Sequence, residues 1–324
     1  MLIPVETTSP TTLITGAAGN LGSRLARHLA SNGHALRLMV HRTPLPHDLQ
    51  TDPNVTVVCA DLSQGKTLFN AVDGSDVVVH FAGVLFSPRP ERFLPETNTR
   101  WFSNLLDACL RARVKKVILI SFPHVEGPTT VAQPATGRID RHPASVHAQT
   151  RLAEERLLLE STRSTRIAPV VLRLGMVYGR GILMIEAARW LAQHRLLAVW
   201  NETTWIQLIS TADYLQATEA AIVKSDVYGI YHVGDDQPVT LQSFLDQACR
   251  VWGCPPPRRL PLPFFYAAAW FCEAFSVVAR TRSPLTGDFI TIGRVSYYGD
   301  TTRTRQELLP TLQYRTLADG LATL

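Results

Sequence analysis

"TLITGAAGNLGSRLARHLASNG", Thr12 to Gly33, decides how the rest of the chain is read. A short apolar run stops at Gly16, glycines recur at Gly19 and Gly22, and an amphipathic stretch opens at once. Glycines in a strand-to-helix bend permit a tight turn. They also let main-chain N–H groups approach an anion, whose charge is favoured at a helix N-terminus. The G-x-x-G-x-x-G pattern in this setting therefore predicts a pyrophosphate cradle; the plainer alternative is a glycine-rich turn without a ligand.

Working outward, short apolar runs alternate with helical segments through the first half: "TTLITG", "ALRLMV", "VTVVCA", "DVVVHFAG", "KKVILIS" and "APVVLRLG". Each carries Val, Ile or Leu on both faces, as strands covered by helices on either side do. Amphipathic stretches such as Asn20 to Asn32 and Asn98 to Arg111 lie between them. The alternation predicts an α/β, Rossmann-type doubly wound parallel sheet. Later, "WIQLIS" predicts a strand, followed by a helix capped by Ser210 or Thr211, and "GIYHVG" predicts one more strand. The rest predicts a smaller, α-rich C-terminal substrate lobe. Residues 10–178 plus about 205–235 would form the dinucleotide-binding domain, and about 179–204 plus 236–324 the lobe, with substrate between the two.

The totals narrow the classes. With 46% hydrophobic and 18% charged residues the composition is globular. The net charge of +5 is spread along the chain without dense basic runs or interleaved aromatics, so a phosphate-bearing small molecule is expected rather than nucleic acid. Five cysteines, Cys59, Cys109, Cys249, Cys254 and Cys272, show no Cys-x-x-Cys and no zinc spacing. They read as reduced thiols of a cytoplasmic protein, with no metal. The opening "MLIPVETTSPTTLITG" lacks a basic region followed by an apolar stretch, so no signal peptide is expected. "LPLPFFYAAAWFCEAFSVVA", Leu260 to Ala279, lies between Arg258, Arg259, Arg280 and Arg282. Pro261, Pro263 and Glu273 interrupt it, which predicts a buried or interfacial helix rather than a span, and leaves peripheral membrane association open.

The cofactor is narrowed further by the second strand. It ends "RLMVHRTP", without the acidic residue that grips a ribose 2′-hydroxyl, and with Arg42 in its place. A guanidinium suits a 2′-phosphate, so NADP is expected over NAD. Asp61 in "CADLS" can accept from the adenine amino group or cap the next helix.

These residues resemble the extended short-chain dehydrogenase/reductases, the family of NAD-dependent epimerases, dehydratases and 3β-hydroxysteroid dehydrogenases. The resemblance runs through "TGAAGNLG", "ADL" at Ala60 to Leu62, "HFAG" at His80 to Gly83, "NTRWFSNLLDAC" at Asn98 to Cys109 and "LRLGMVYGRG" at Leu172 to Gly181. It implies that Gly16, Gly19, Asn20, Leu21, Gly22, Asp61, Leu62, Ala82, Gly83 and Asn98 line the dinucleotide site. It also implies a Ser or Thr after the fifth strand and a Tyr-x-x-x-Lys pair. Here "ILISFPHVEG" places Phe122 at the Ser position beside Ser121, and "SVHAQTRLAEE" offers His147 and Arg151 for Tyr and Lys.

Arg151 can hold ribose hydroxyls through its fork of donors. His147 would be a weak acid beside a permanent cation, favouring reduction at mildly acidic pH. His124 and Tyr178 are candidate replacements for the donor that Phe122 removes, with packing roles as the alternative. Three readings follow: an oxidoreductase moving a hydride between NADP(H) and a small hydrophobic carbonyl or alcohol, a catalytically impaired dinucleotide sensor, or a nucleotide-sugar epimerase/dehydratase-like enzyme. A homodimer is compatible with each. Leu85, Phe86, Phe93 and Trp101 hint at an apolar substrate.

Overall fold

Seven runs of apolar residues pair into one fully parallel sheet. In the computed structural model, residues 10–83, 90–279, 281, 283 and 285–324 are described; Leu85, Phe86, Arg280 and Arg282 lie outside them. The strands are β1 (Thr12–Thr15), β2 (Leu36–Val40), β3 (Val55–Cys59), β4 (Val77–His80), β5 (Lys116–Ser121) and β6 (Ala168–Leu174), joined by Gly229–Val233. Their order across the sheet is Gly229–Val233, β6, β5, β4, β1, β2, β3. The direction of winding reverses between β1 and β4, where Ile14 lies level with Leu38 on one side and Val79 on the other. Such a reversal opens a crevice beyond the carboxyl ends of the strands.

Both faces of the central strands are covered, which is why their sequences are unbroken apolar runs. Leu13 and Ile14 are both fully buried but belong to different apolar clusters, one on each face. The edge strand β3 departs from that expectation: Thr56, Val57 and Cys59 are exposed, because nothing pairs beyond it. Helix α1 (Asn20–Ser31) buries Gly22, Leu25, Ala26 and Leu29 at helical spacing. It ends on Gly33, whose φ of +77° suits a left-handed cap, with His34 N bonded to Leu29 O and Gly33 N to Ala30 O.

The second half is less regular than its sequence suggests. "WIQLIS" splits at Gln207 into Trp205–Ile206, paired with Val239–Thr240, and Leu208–Ser210, paired with Met176–Tyr178. Gln207 is buried, and its carbonyl takes bonds from Met176 N and Tyr297 Oη while its side chain reaches Asp235 O and Gly299 N. Those bonds pull it out of a continuous ladder. Ser210, not Thr211, caps the Thr211–Val223 helix through Asp213 N. The proline-rich segment holds a strand, Arg258–Leu260, parallel to Ala198–Trp200. One apolar cluster runs from Ile14 and Leu25 through Trp200 and Phe244 to Leu317 and Leu324, so the C-terminal segments share a core with the sheet.

The Leu262–Ala279 helix is not a buried helix. Within it only Ala269 and Ser276 are buried, while Phe264, Trp270, Phe271, Phe275, Val277 and Val278 are exposed.

Candidate active site

Local backbone geometry builds the first part of the site. Gly16 sits at φ +70°, and a Cβ there would stand 2.9 Å from Ala82 N. A Cβ on Gly22 would stand 2.4 Å from Gly16 O, so neither position admits a side chain without moving backbone. The bend is closed by Gly19 N to Gly16 O at 2.8 Å. No side chain caps α1 and no acidic residue occupies its first turn, so its opening amides and dipole favour an anion. Gly16, Gly19, Asn20, Leu21 and Gly22 line a cavity of about 750 Å³ that follows the strand ends on both sides of the winding reversal. Asn20 latches its rim, donating to Gly181 O at 2.8 Å and accepting from Leu183 N at 3.0 Å.

On the β2–β3 side the lining is Met39, Val40, His41, Arg42, Thr43, Ala60, Asp61 and Leu62. Asp61 accepts from Ser63 N at 2.9 Å and Ser63 Oγ at 2.8 Å, and His41 Nε2 stands 3.4 Å away. The Ser63 amide, with its hydroxyl and the nearby His41 and Arg42, holds the Asp61 carboxyl below its ordinary range despite some burial. Asp61 therefore shapes a turn and faces the cavity together. His41, beside Arg42 in "VHRT", adds a second nitrogen donor to this wall, which no motif in the sequence marks.

On the β5–β6 side the Val146–Thr162 helix carries the reaction end. Its start is held twice: Ser145 Oγ accepts from Ala148 N, and Asp288 from the Gly287–Gly293 helix accepts from Val146 N at 2.9 Å and His147 N at 3.3 Å. His147 and Arg151, one turn apart, both line the cavity with Ala82, Gly83, Trp101, Ser121 and Phe122. The His147 ring lies parallel to Phe122, centroids 5.3 Å apart at 6°. Burial, reinforced by the Arg151 charge, pushes His147 down to about 3. The imidazole is neutral throughout the physiological range, so His147 is not the group that could supply the expected gain at mildly acidic pH.

Arg151 is buried, with Nη1 2.7 Å from Glu154 Oε2. The approach is close but off the hydrogen-bond direction, so Nε and Nη1 of Arg151 and both Glu154 oxygens lack an aligned partner among the described residues. A Cβ on Gly83 would sit 2.8 Å from Arg151 Nη2, so a side chain there would push the guanidinium aside. Burial pushes Glu154 up to about 7 against the pull of Arg151, with Glu155 pushing the same way as burial. Glu154, three residues after Arg151, was visible only as half of an "EE" pair in the sequence.

The remaining expected site residues are dispersed. Ser121 Oγ lines the cavity but donates to Glu155 Oε1 at 2.5 Å, within a buried network where Arg173 pairs with Glu126 and Glu155. His124 is half-buried against Tyr297, centroids 4.1 Å apart, is not among the lining residues, and is pushed down to about 3 by desolvation and then His147. Tyr178 is fully buried near Asp235 and Gly320, away from the lining, and its phenol is pushed up by burial first. Asn98 is buried behind the cavity and donates to Thr150 Oγ1 at 3.3 Å. Ile182, Leu183 and Met184, which form an apolar lip, carried no motif.

A strand–glycine bend–helix unit at a winding reversal, opening on one long cavity, defines a dinucleotide-binding α/β protein of the Rossmann type. The profile of the NAD dependent epimerase/dehydratase family matches residues 12–234, and the chain belongs to that family. It is 28% identical to a 3-diazoavenalumate denitrifying reductase of Streptomyces sp over 264 residues, covering 77% of this chain and 84% of that one. It is 27% identical to a ceramide reductase of Caulobacter vibrioides over 277 residues, covering 83% and 80%. Among solved structures it resembles the dTDP-glucose 4,6-dehydratase DesIV of Streptomyces venezuelae with NAD bound, at TM-score 0.77 and 18% identity, covering 96% and 94%. The family is one of NAD-dependent oxidoreductases and epimerases.

Proposed function

We propose that the protein is an NADP-dependent oxidoreductase acting on a small hydrophobic carbonyl or alcohol. The observation that carries this reading is the single cavity that joins Arg42 and His41, the Gly16–Gly22 amides, and the His147–Arg151 face. The residues fit the cofactor: the α1 amides donate to a pyrophosphate, Arg42 and His41 face a 2′-phosphate, and Arg151, on the cavity lining, carries the fork of donors that ribose hydroxyls take. When bound, NADP(H) supplies the hydride that a carbonyl carbon accepts. His147, neutral, donates an N–H to the carbonyl oxygen and polarises it, and the proton that completes the alcohol comes from water. Phe122 holds the imidazole by stacking. Among the lining residues from Trp101 onward there is no carboxylate and no amide, which favours an apolar substrate over a sugar rich in hydroxyls. The 27%-identical ceramide reductase supports the same class.

The test is calorimetric titration with NADPH and NADH, followed by NADPH oxidation over a panel of apolar ketones and aldehydes. Wild-type protein is expected to bind NADPH at least about tenfold tighter, and Arg42→Asp to erase that preference. Equal affinity for both cofactors overturns the NADP reading. A second reading, a sensor that binds NADPH without turnover, is favoured by one observation: the hydroxyl of Ser121, which lines the cavity beside Phe122, is committed to Glu155. NADPH binding with no oxidation across the panel would establish it.

A further inference from the structure

The Leu262–Ala279 helix turns an uncharged face outward. Trp270, Phe271, Phe275 and Val278 are 64%, 66%, 69% and 84% exposed, and Phe264 and Val277 continue the same stripe. Its one acidic residue, Glu273, points inward, accepting from Gly287 N at 2.9 Å. Soluble surfaces rarely leave so continuous an aromatic patch to water. By composition and length the helix could cross a bilayer, since eighteen residues rise about 27 Å.

Its connections rule out crossing. The chain reaches it from Arg258–Leu260, which is paired with Ala198–Trp200. It leaves into the Gly287–Gly293 helix, which returns alongside, with Tyr266 Oη and Thr291 Oγ1 3.3 Å apart. Phe265 packs edge-on against Trp200, centroids 5.6 Å apart. Both ends and one whole face belong to the same lobe, so the helix lies flat.

We propose that this face docks the protein onto the surface of a lipid bilayer, the helix lying in the plane of the headgroup–acyl boundary. The occupant follows from chemistry and charge. Trp and Phe side chains settle at that boundary, and a helix packed on its carrier along one face can still bury the other there. Arg258 is exposed just before the helix, Arg259 beside it is paired with Asp246 at 2.6 Å, and the sequence continues past the helix with Arg280 and Arg282, so the segment is flanked in sequence by the cations that an anionic headgroup layer attracts. A second copy of a chain of net charge +5 docked here would meet like net charge, whereas an anionic bilayer meets the opposite one. The placement also concerns the reaction end, because the Gly287–Gly293 helix joins Glu273 to Asp288, which caps the helix carrying His147. The inference does not depend on the cofactor or on turnover.

The test is co-sedimentation of the full chain with phosphatidylcholine vesicles, with and without about one-third phosphatidylserine, beside analytical ultracentrifugation without lipid. Wild-type protein is expected to pellet with vesicles, about fivefold or more strongly with the anionic lipid for each arginine engaged. Phe275→Ser and Val278→Glu are each expected to lower partitioning about tenfold or more, with an unchanged melting curve. Val278, the more exposed, keeps the test valid should Phe275→Ser fold poorly. Wild-type protein that stays in the supernatant with both vesicle types overturns the proposal. So does a dimer in ultracentrifugation that Phe275→Ser dissociates, or vesicle binding that neither substitution weakens.

Discussion

Glu154 offers a direct measure of whether burial or pairing governs the buried charges behind the reaction end. Its carboxyl moves from an ordinary 4.5 to about 7 in the folded chain because burial outweighs the attraction of Arg151 at 2.7 Å. A folded-state value above the unfolded one means that the folded chain holds a proton the unfolded chain has released. Stability is therefore present at low pH and is lost as pH rises from about 4.5 through about 7. Between about pH 5.5 and about pH 8 this one group withdraws about 2 kcal/mol from wild-type protein.

Glu154→Gln cannot ionise, so that loss disappears from the variant. The cost of placing an amide beside Arg151 is common to both pH values and cancels, as do the titrations of His80, His124, His147 and Asp235, which both proteins share. The assay is urea unfolding of both proteins at the two pH values, with equal slopes in denaturant required. The variant should lose about 2 kcal/mol less than wild type between them. Losses equal to within about 0.5 kcal/mol would refute the reasoning, since Glu154 would then be ionised throughout and held by Arg151 after all.

Other substitutions test the remaining links. Gly22→Ala puts a methyl against Gly16 O and should abolish NADPH binding in calorimetry; retained affinity would mean that the bend relaxes freely. Asp235 is fully buried with no aligned partner for either oxygen among the described residues, and burial pushes it up to about 8. Asp235→Asn should accordingly raise Tm more at about pH 8 than at about pH 5, and an equal shift at both would count against the burial argument. Because His147 stays neutral down to about 3, a His147→Gln variant should keep the wild-type inflections of kcat/KM between about pH 5.5 and pH 8. An inflection near pH 6 that vanishes in this variant would contradict that. Phe122→Ser with His147→Tyr and Arg151→Lys should raise NADPH oxidation about tenfold or more if hydride geometry is intact, and a rate that does not rise would favour the sensor.

The sheet was legible because its signals are local. An interior parallel strand must be apolar on both faces, and β1, β2, β4, β5 and β6 each satisfy that within four to seven residues. The glycine bend is likewise contained in Gly16 to Gly22. β3 is equally apolar in sequence yet half exposed, because edge position depends on strand order, which no single segment carries. "WIQLIS" reads as one strand until Tyr297 and Gly299, some ninety residues on, claim hydrogen bonds at Gln207.

The reaction end was legible only as a set of residue types. Ser121 lies level with Arg173 across β5 and β6, and Arg173 draws Glu155, which then takes the Ser121 hydroxyl. That outcome rests on strand register, not on the motif containing Ser121. The departures from Tyr-x-x-x-Lys are also joined to one another in space. Phe122 stacks on His147, Gly83 leaves room for the broader Arg151 guanidinium, and Glu154 sets a carboxyl beside it. Arg151 lines the cavity as a residue, while its Nε and Nη1 are shut off from solvent and Nη1 stands 2.7 Å from Glu154 Oε2. A fold that had merely lost its chemistry would gain by shedding a buried arginine for an apolar side chain of similar volume, so a buried charge kept on the cavity lining supports reading Arg151 as a working part of the site.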